Sequence, residues 1–162
     1  MQIDTSKVSN HRKLRFDSID DCLTEVDQIL LAAQNGTLST TGNWTPGQIL
    51  AHVAAWIEYG YTGYPLRQVP FFVRWVMHWK VNSILNKGMP RAVRIPGVKG
   101  GTVGLEDLPV TEAGERLRAA LNRLRSGKEA IFDSPAFGAM SHEDRIRLNL
   151  RHAELHLGYL NY

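Results

Sequence analysis

The chain is short of the features that mark several protein classes. A single cysteine, Cys22, stands among 162 residues, so no internal disulfide can form and a reducing, cytoplasmic setting is expected. The opening stretch MQIDTSKVSNHRKLRF holds no apolar run of the length a secretory leader needs. No segment reaches the roughly 18 uninterrupted apolar residues of a membrane span. No glycine pattern is followed by Lys-Ser/Thr or preceded by a strand, so no phosphate loop is expected. Repeats and low-complexity tracts are also missing. Between Tyr59 and Leu105 there is no acidic residue, while Arg67, Arg74, Lys80, Lys87, Arg91, Arg94 and Lys99 give that span a charge of +7. The rest carries twelve basic and sixteen acidic residues, a charge of −4. A basic middle on a mildly acidic body suits an anionic ligand or a phospholipid surface, and equally a solvated connection. Without a recognition motif, nucleic-acid binding is not expected.

What is present reads as helix. From Ser18 to Ala33, Ile19, Leu23, Val26, Leu30 and Ala33 recur at three- and four-residue spacing, and Asn35-Gly36 ends the run. Thr45-Pro46-Gly47-Gln48 is a strong start signal: Thr45 caps, Pro46 takes the first helical position, and Gln48 completes a capping box. The helix continues to Tyr61 with Ile49, Val53 and Trp56 on its apolar face. A third segment, Pro70 to Leu85, is apolar almost all round apart from a stripe of Arg74, His78 and Asn82. Such a helix is buried on several sides or lies on a membrane or a partner. A Gly/Pro-rich loop follows, and a fourth helix begins near Thr111 with Leu117, Ala120, Leu121 and Leu124 as its face. Ser141 caps the last helix, which is expected to run to Leu160. With no convincing strand, the expectation is an all-α bundle in one domain spanning 1–162, with a long crossover connection containing the extra apolar helix. Trp56, Trp75 and Trp79 are expected in the core.

The last helix contains HAELH, His152 to His156. At about 100° per residue the two histidines lie about 40° apart, one turn above the other, while Glu154 is about 200° from His152. The spacing permits two imidazoles to share a metal ion. A metalloprotease HExxH motif keeps its glutamate beside the metal, and this one is turned away. A third ligand is needed, and His52 lies between Ile49 and Trp56 on the core side of the second helix. A lone histidine there reads equally as a hydrogen-bonded core residue. His11, His78 and His142 are weaker candidates, and Cys22 reads as buried filler with no histidine paired to it.

GNWTPGQILAHVAAW and SPAFGAMSHEDRIRLNLRHAELHL resemble the DinB-like superfamily, and within it a domain family of unknown function. That family carries W-x-P-G-Q-x-L-x-H, a P-x-F-G turn and a terminal H-x-x-x-H helix. The resemblance covers Gly42 to the end. It implies a four-helix bundle with a long connection between its second and third helices, and a divalent metal on His52, His152 and His156. It implies metal-dependent chemistry with low-molecular-weight thiols on a small-molecule substrate, and a homodimer. The chain departs from the pattern at Ser134 and Leu155, where histidines often stand.

Three neutral imidazoles leave an ion its full charge and open positions, so the ion activates a bound water or thiol. Zinc and nickel are favoured, with iron and manganese also compatible. Asn149, Tyr59 and Tyr159 are candidates to orient ligands or substrate, and Arg91, Arg94 and Lys99 to meet an anion. With no carboxylate placed near the metal, thiol transfer is favoured over hydrolysis. The alternative is a binding module with a structural metal or none. Its third helix would then make a dimer or peripheral membrane contact through Phe71, Phe72, Trp75, Val76 and Trp79.

Overall fold

Three of the helices start where a short polar side chain answers their free N–H groups, whereas the fourth starts at Pro109 without a side-chain cap. Ser18 opens α1 (Ile19–Gln34), accepting from the Asp21 N–H, while Asp21 accepts the Ser18 N–H at 2.8 Å. Thr45 and Gln48 form the same reciprocal box at the start of α2 (Pro46–Thr62). Ser141 caps α5 (His142–Leu157) through the Asp144 N–H at 3.1 Å. Between them lie α3 (Phe71–Lys87) and α4 (Val110–Arg125). These bounds come from a computed structural model that describes residues 3–66, 71–95 and 98–162. Arg67 and Pro70, and the side chains of Phe71, Val73, Arg74, Val76, His78 and Lys99, lie outside the described residues.

The architecture is an all-α bundle. α2 packs on α4 and α5, and α1 packs on the same two helices, so four helices close a ring around one apolar cluster. α2 is the central element, with Leu50, Ala51, Val53, Ala54 and Ala55 all fully buried. Leu117, Leu121 and Leu124 of α4 and Leu150 and Leu157 of α5 meet it. Burying each such side chain contributes roughly 1.5–3 kcal/mol. The sequence from 63 to 109 is the long crossover, and α3 rides in it against α5.

α3 corrects one expectation. Trp75 and Trp79 are 63% and 72% exposed, not core residues. Met77 and Ile84, on the opposite side of the helix, face a cavity instead, and Leu85 is buried. Trp56 of α2, also expected in the core, is only partly buried and lines the same cavity.

The end of α5 corrects another. The helix stops at Leu157, and Leu160–Asn161 (β2) pairs antiparallel with Ser39–Thr40 (β1), a two-residue ladder the sequence did not announce. The reason is a crossing segment. Residues 11 and 12 pass over Gly158, where a Cβ would sit 2.6 Å from His11 Cε1 and 2.7 Å from the Arg12 carbonyl oxygen. The Arg12 N–H donates to the Gly158 carbonyl at 2.8 Å, and His11 Nε2 lies 2.9 Å from the Leu155 carbonyl oxygen. The N-terminal arm thus ties down the last turn of the helix that carries two of the three candidate ligands.

Candidate metal centre

α2 brings His52 to the bundle interior, and α5 brings His152 and His156 to the same point. One nitrogen from each ring forms a group whose members all lie within 4.8 Å of one another. Two imidazoles bound to one tetrahedral ion sit about 3.3 Å apart at metal–nitrogen distances near 2.0 Å. Closing on an ion therefore asks for side-chain adjustments of an ångström or two. Ring centroids are 4.5 Å apart for His52–His156 and His152–His156, and 5.1 Å for His52–His152.

His52 is 1% exposed. Its Nδ1 lies 3.0 Å from the Val103 carbonyl oxygen, to which it donates, fixing the tautomer and leaving Nε2 with its lone pair free. His152 Nδ1 is buried without a hydrogen-bond partner. An orphaned buried polar atom beside two further imidazoles is what a cation site leaves when its donors are counted without the cation.

Burial pushes the His52 imidazole down to about 4, against the Val103 hydrogen bond that raises it. Burial, with repulsion from the neighbouring imidazoles, holds His152 and His156 well below the ordinary histidine value. All three are neutral at physiological pH, the form that ligates.

Two tryptophans hold the rings in place. Trp44 stacks on His156 at 5.3 Å with planes 10° apart, and its centroid is 5.0 Å from His52. Trp56 lies 5.4 Å from His152 and 6.1 Å from His52. Its Nε1 is buried without a partner. A cavity of about 660 Å³ opens on the three imidazoles.

The remaining candidates divide. Tyr159 and Arg94 line the cavity. The Tyr159 hydroxyl donates to the Thr5 carbonyl at 3.1 Å, tying the N-terminal arm to the site. Asn149 does not line the cavity, and its amide donates to the Arg145 carbonyl one turn back at 2.9 Å. Tyr59 packs behind it, against Trp56 and Tyr64. Arg91 points outward, donating to the Val8 carbonyl at 2.9 Å, and the Lys99 side chain lies outside the described residues. Among the weaker histidines, His11 packs edge-on against Tyr159, and His142 Nδ1 is buried without a partner. Cys22 is fully buried, and desolvation pushes its thiol up to about 12, so it is no nucleophile.

Glu154 is turned away from the imidazoles, as helix geometry requires, but it is not in solvent. It is 7% exposed and belongs to the opposite, equally buried face of α5. The Val103 carbonyl, the Trp44 stack and the arm contributed by Ile3, Asp4 and Thr5 were not foreseen as parts of the site. The first is a backbone acceptor in a loop and leaves no residue-type signature. Trp44 did stand inside the legible Trp44–His52 block.

Fold and site together define a helical bundle with three inward imidazoles that can hold a metal ion. A family model described as "Protein of unknown function (DUF1569)" matches residues 8–162, and the chain belongs to that family. Neither the curated proteins nor the solved structures contain a match to it.

Proposed function

We propose that this chain is a DinB-like, single-domain metalloprotein whose His52, His152 and His156 hold one divalent ion, zinc or nickel by preference, for use in catalysis. The carrying observation is the convergence of three neutral imidazoles, one of them oriented by a backbone carbonyl, in the lining of a cavity. Buried imidazoles fixed by a hydrogen bond on the far ring nitrogen suit a metal. A structural site would be closed by a fourth protein ligand. Among the described residues no cysteine or carboxylate joins the three histidines, so open positions face the cavity. A divalent ion there supplies Lewis-acid chemistry, lowering the pKa of a water or a thiol. The chain's own residues orient the ligands and, through Trp44 and Trp56, shield them from bulk water. Among the described residues no carboxylate joins the three imidazoles, and Asp4, the acidic side chain that lines the cavity, already accepts from Ser6, so activation of a thiol fits better than hydrolysis, as in a thiol S-transferase.

The test is metal analysis of protein purified without a histidine tag. About one ion per chain is expected, falling to background in His152→Ala. Substoichiometric metal in wild type, or unchanged content in the variant, removes the proposal.

A second reading is favoured by α3. Phe72, Trp75 and Trp79 are 59%, 63% and 72% exposed, in a span with no acidic residue. Aromatic and basic side chains together suit an anionic lipid surface, and the aromatics alone suit a homodimer face. Among the described residues no helix is long and apolar enough to cross a membrane. Sedimentation with anionic vesicles at low salt separates the two: lipid contact predicts co-sedimentation, a dimer face does not.

A further inference from the structure

The cavity is much larger than an ion and its waters require. Three waters occupy on the order of 90 Å³ at about 30 Å³ each, whereas the cavity holds about 660 Å³. That volume is in the range of small-molecule sites, roughly 300–1,000 Å³. Most of it lies beyond any coordination sphere.

The walls are mostly apolar, with Thr5, Asn43, Thr102, Ser134 and Tyr159 as uncharged polar side chains among them. Leu66, Met77, Ile84, Ile95 and Phe137 line it, with Met77 and Ile84 supplied by the inward side of α3. Apart from the histidines, the charged groups among the described lining residues are Asp4 and Arg94. The Asp4 carboxylate already accepts from the Ser6 N–H at 3.0 Å and the Ser6 hydroxyl at 2.6 Å. Arg94 is exposed, and its aliphatic stem packs close to Gly101. The three imidazoles meet beside Trp56, whose buried Nε1 donor has no acceptor. The cavity therefore offers one cluster of metal-ligating nitrogens within a mostly apolar lining.

We propose that the cavity takes an amphiphile: one anionic or metal-binding head, such as a carboxylate, hydroxamate or thiolate, set at the imidazoles, and a hydrocarbon body laid along the Met77–Ile84 wall. The placement of the head rests on the metal reading above, whereas burial of the body does not. A cofactor studded with polar groups would leave most of them unpaired against the Leu66, Met77, Ile84, Ile95 and Phe137 side chains, which costs affinity.

The experiment is a chain-length series on the metal-loaded protein: acetohydroxamate, butanohydroxamate and octanohydroxamate, read by calorimetry. Each buried methylene is worth up to about fourfold in affinity, the equivalent of about 0.8 kcal/mol. Over the six added methylenes the dissociation constant is expected to fall at least about 100-fold. In chelator-treated protein all three bind more weakly but the chain-length gain persists. Ala136→Trp, filling the cavity, is expected to cut the gain at least about tenfold with metal content unchanged; Ile84→Asn is the second variant should the first fail to fold. Equal affinity for the short and long probes on metal-loaded protein overturns the amphiphile proposal and leaves the metal reading standing. A chain-length gain with no retained metal does the reverse.

Discussion

Glu154 accepts the backbone N–H of Phe16 at 2.6 Å, across 138 residues of sequence. The same carboxylate pairs with Arg151 at 2.9 Å, and Arg151 donates to the Phe16 carbonyl. Two charged side chains one turn apart on α5 therefore grip both backbone polar groups of a single buried residue, Phe16. The glutamate inside HAELH clamps the N-terminal arm to the helix whose other face carries the histidines. Glu154→Ala leaves the Arg151 guanidinium, 3% exposed, without its counter-charge. Breaking a buried pair by removing one partner costs about 3–5 kcal/mol. Urea denaturation should show a loss of that size, and metal content per folded chain should stay unchanged. Lost metal with unchanged stability would return Glu154 to the metal side.

Trp44 supports the site from outside the ligand set. Its ring lies parallel to His156 and close to His52, so it limits the rotamers of both. Removing groups that orient ligands typically weakens metal affinity about 10–100-fold. Trp44→Ala is expected to lose about tenfold, and Trp44→Phe, which keeps a flat ring, less. Competition against a chromophoric chelator measures both. Equal affinity in wild type and Trp44→Ala would reduce the stack to packing.

The parts of this molecule that were legible in the sequence share a local grammar. Thr45-Pro46-Gly47-Gln48 states its own cap, and the box is present in the structure. The spacing of His152 and His156 fixes their common face through helix geometry alone. His52 needed a tertiary assumption, that an apolar face in a bundle points inward. α3 defeated periodicity because it is apolar almost all round, so nothing in the pattern says which side meets solvent. Its outward Trp75 and Trp79 follow from the placement of the crossover. The ladder between residues 39–40 and 160–161 is too short to register as a pattern.

Metal-free protein should lose stability in mild acid. Burial depresses all three imidazoles in the folded state, His52 to about 4. The unfolded chain takes up protons near the ordinary value of 6.5, where the folded one does not. The contribution is thus fully present above about pH 6.5 and is lost as pH falls toward 4. For His52 the loss is on the order of 3 kcal/mol over that window. Denaturation at pH 7.5 and pH 5.0 should show a smaller drop in His52→Gln than in wild type. The same drop in both would mean that His52 titrates normally in the folded chain.

Gly104 connects the loop to the metal site. Its φ is +74°, a region that disfavours side chains, and it presses against α2. A Cβ there would lie 2.9 Å from Ala55 Cβ and 3.0 Å from the Tyr59 hydroxyl oxygen. Ala55 is fully buried in the central helix and has no room to retreat. The loop must therefore move, and the residue before it is Val103, whose carbonyl holds the His52 Nδ1. Gly104→Ala combines backbone strain, about 1 kcal/mol or more, with displacement of that carbonyl. Metal affinity should fall by about tenfold or more, and the thermal midpoint of metal-free protein should fall with it. The two readouts separate the causes. A loss of stability with metal affinity unchanged would mean that the loop relaxes without carrying Val103 along. A loss of affinity beyond that of Trp44→Ala would make the backbone carbonyl the stronger of the two supports.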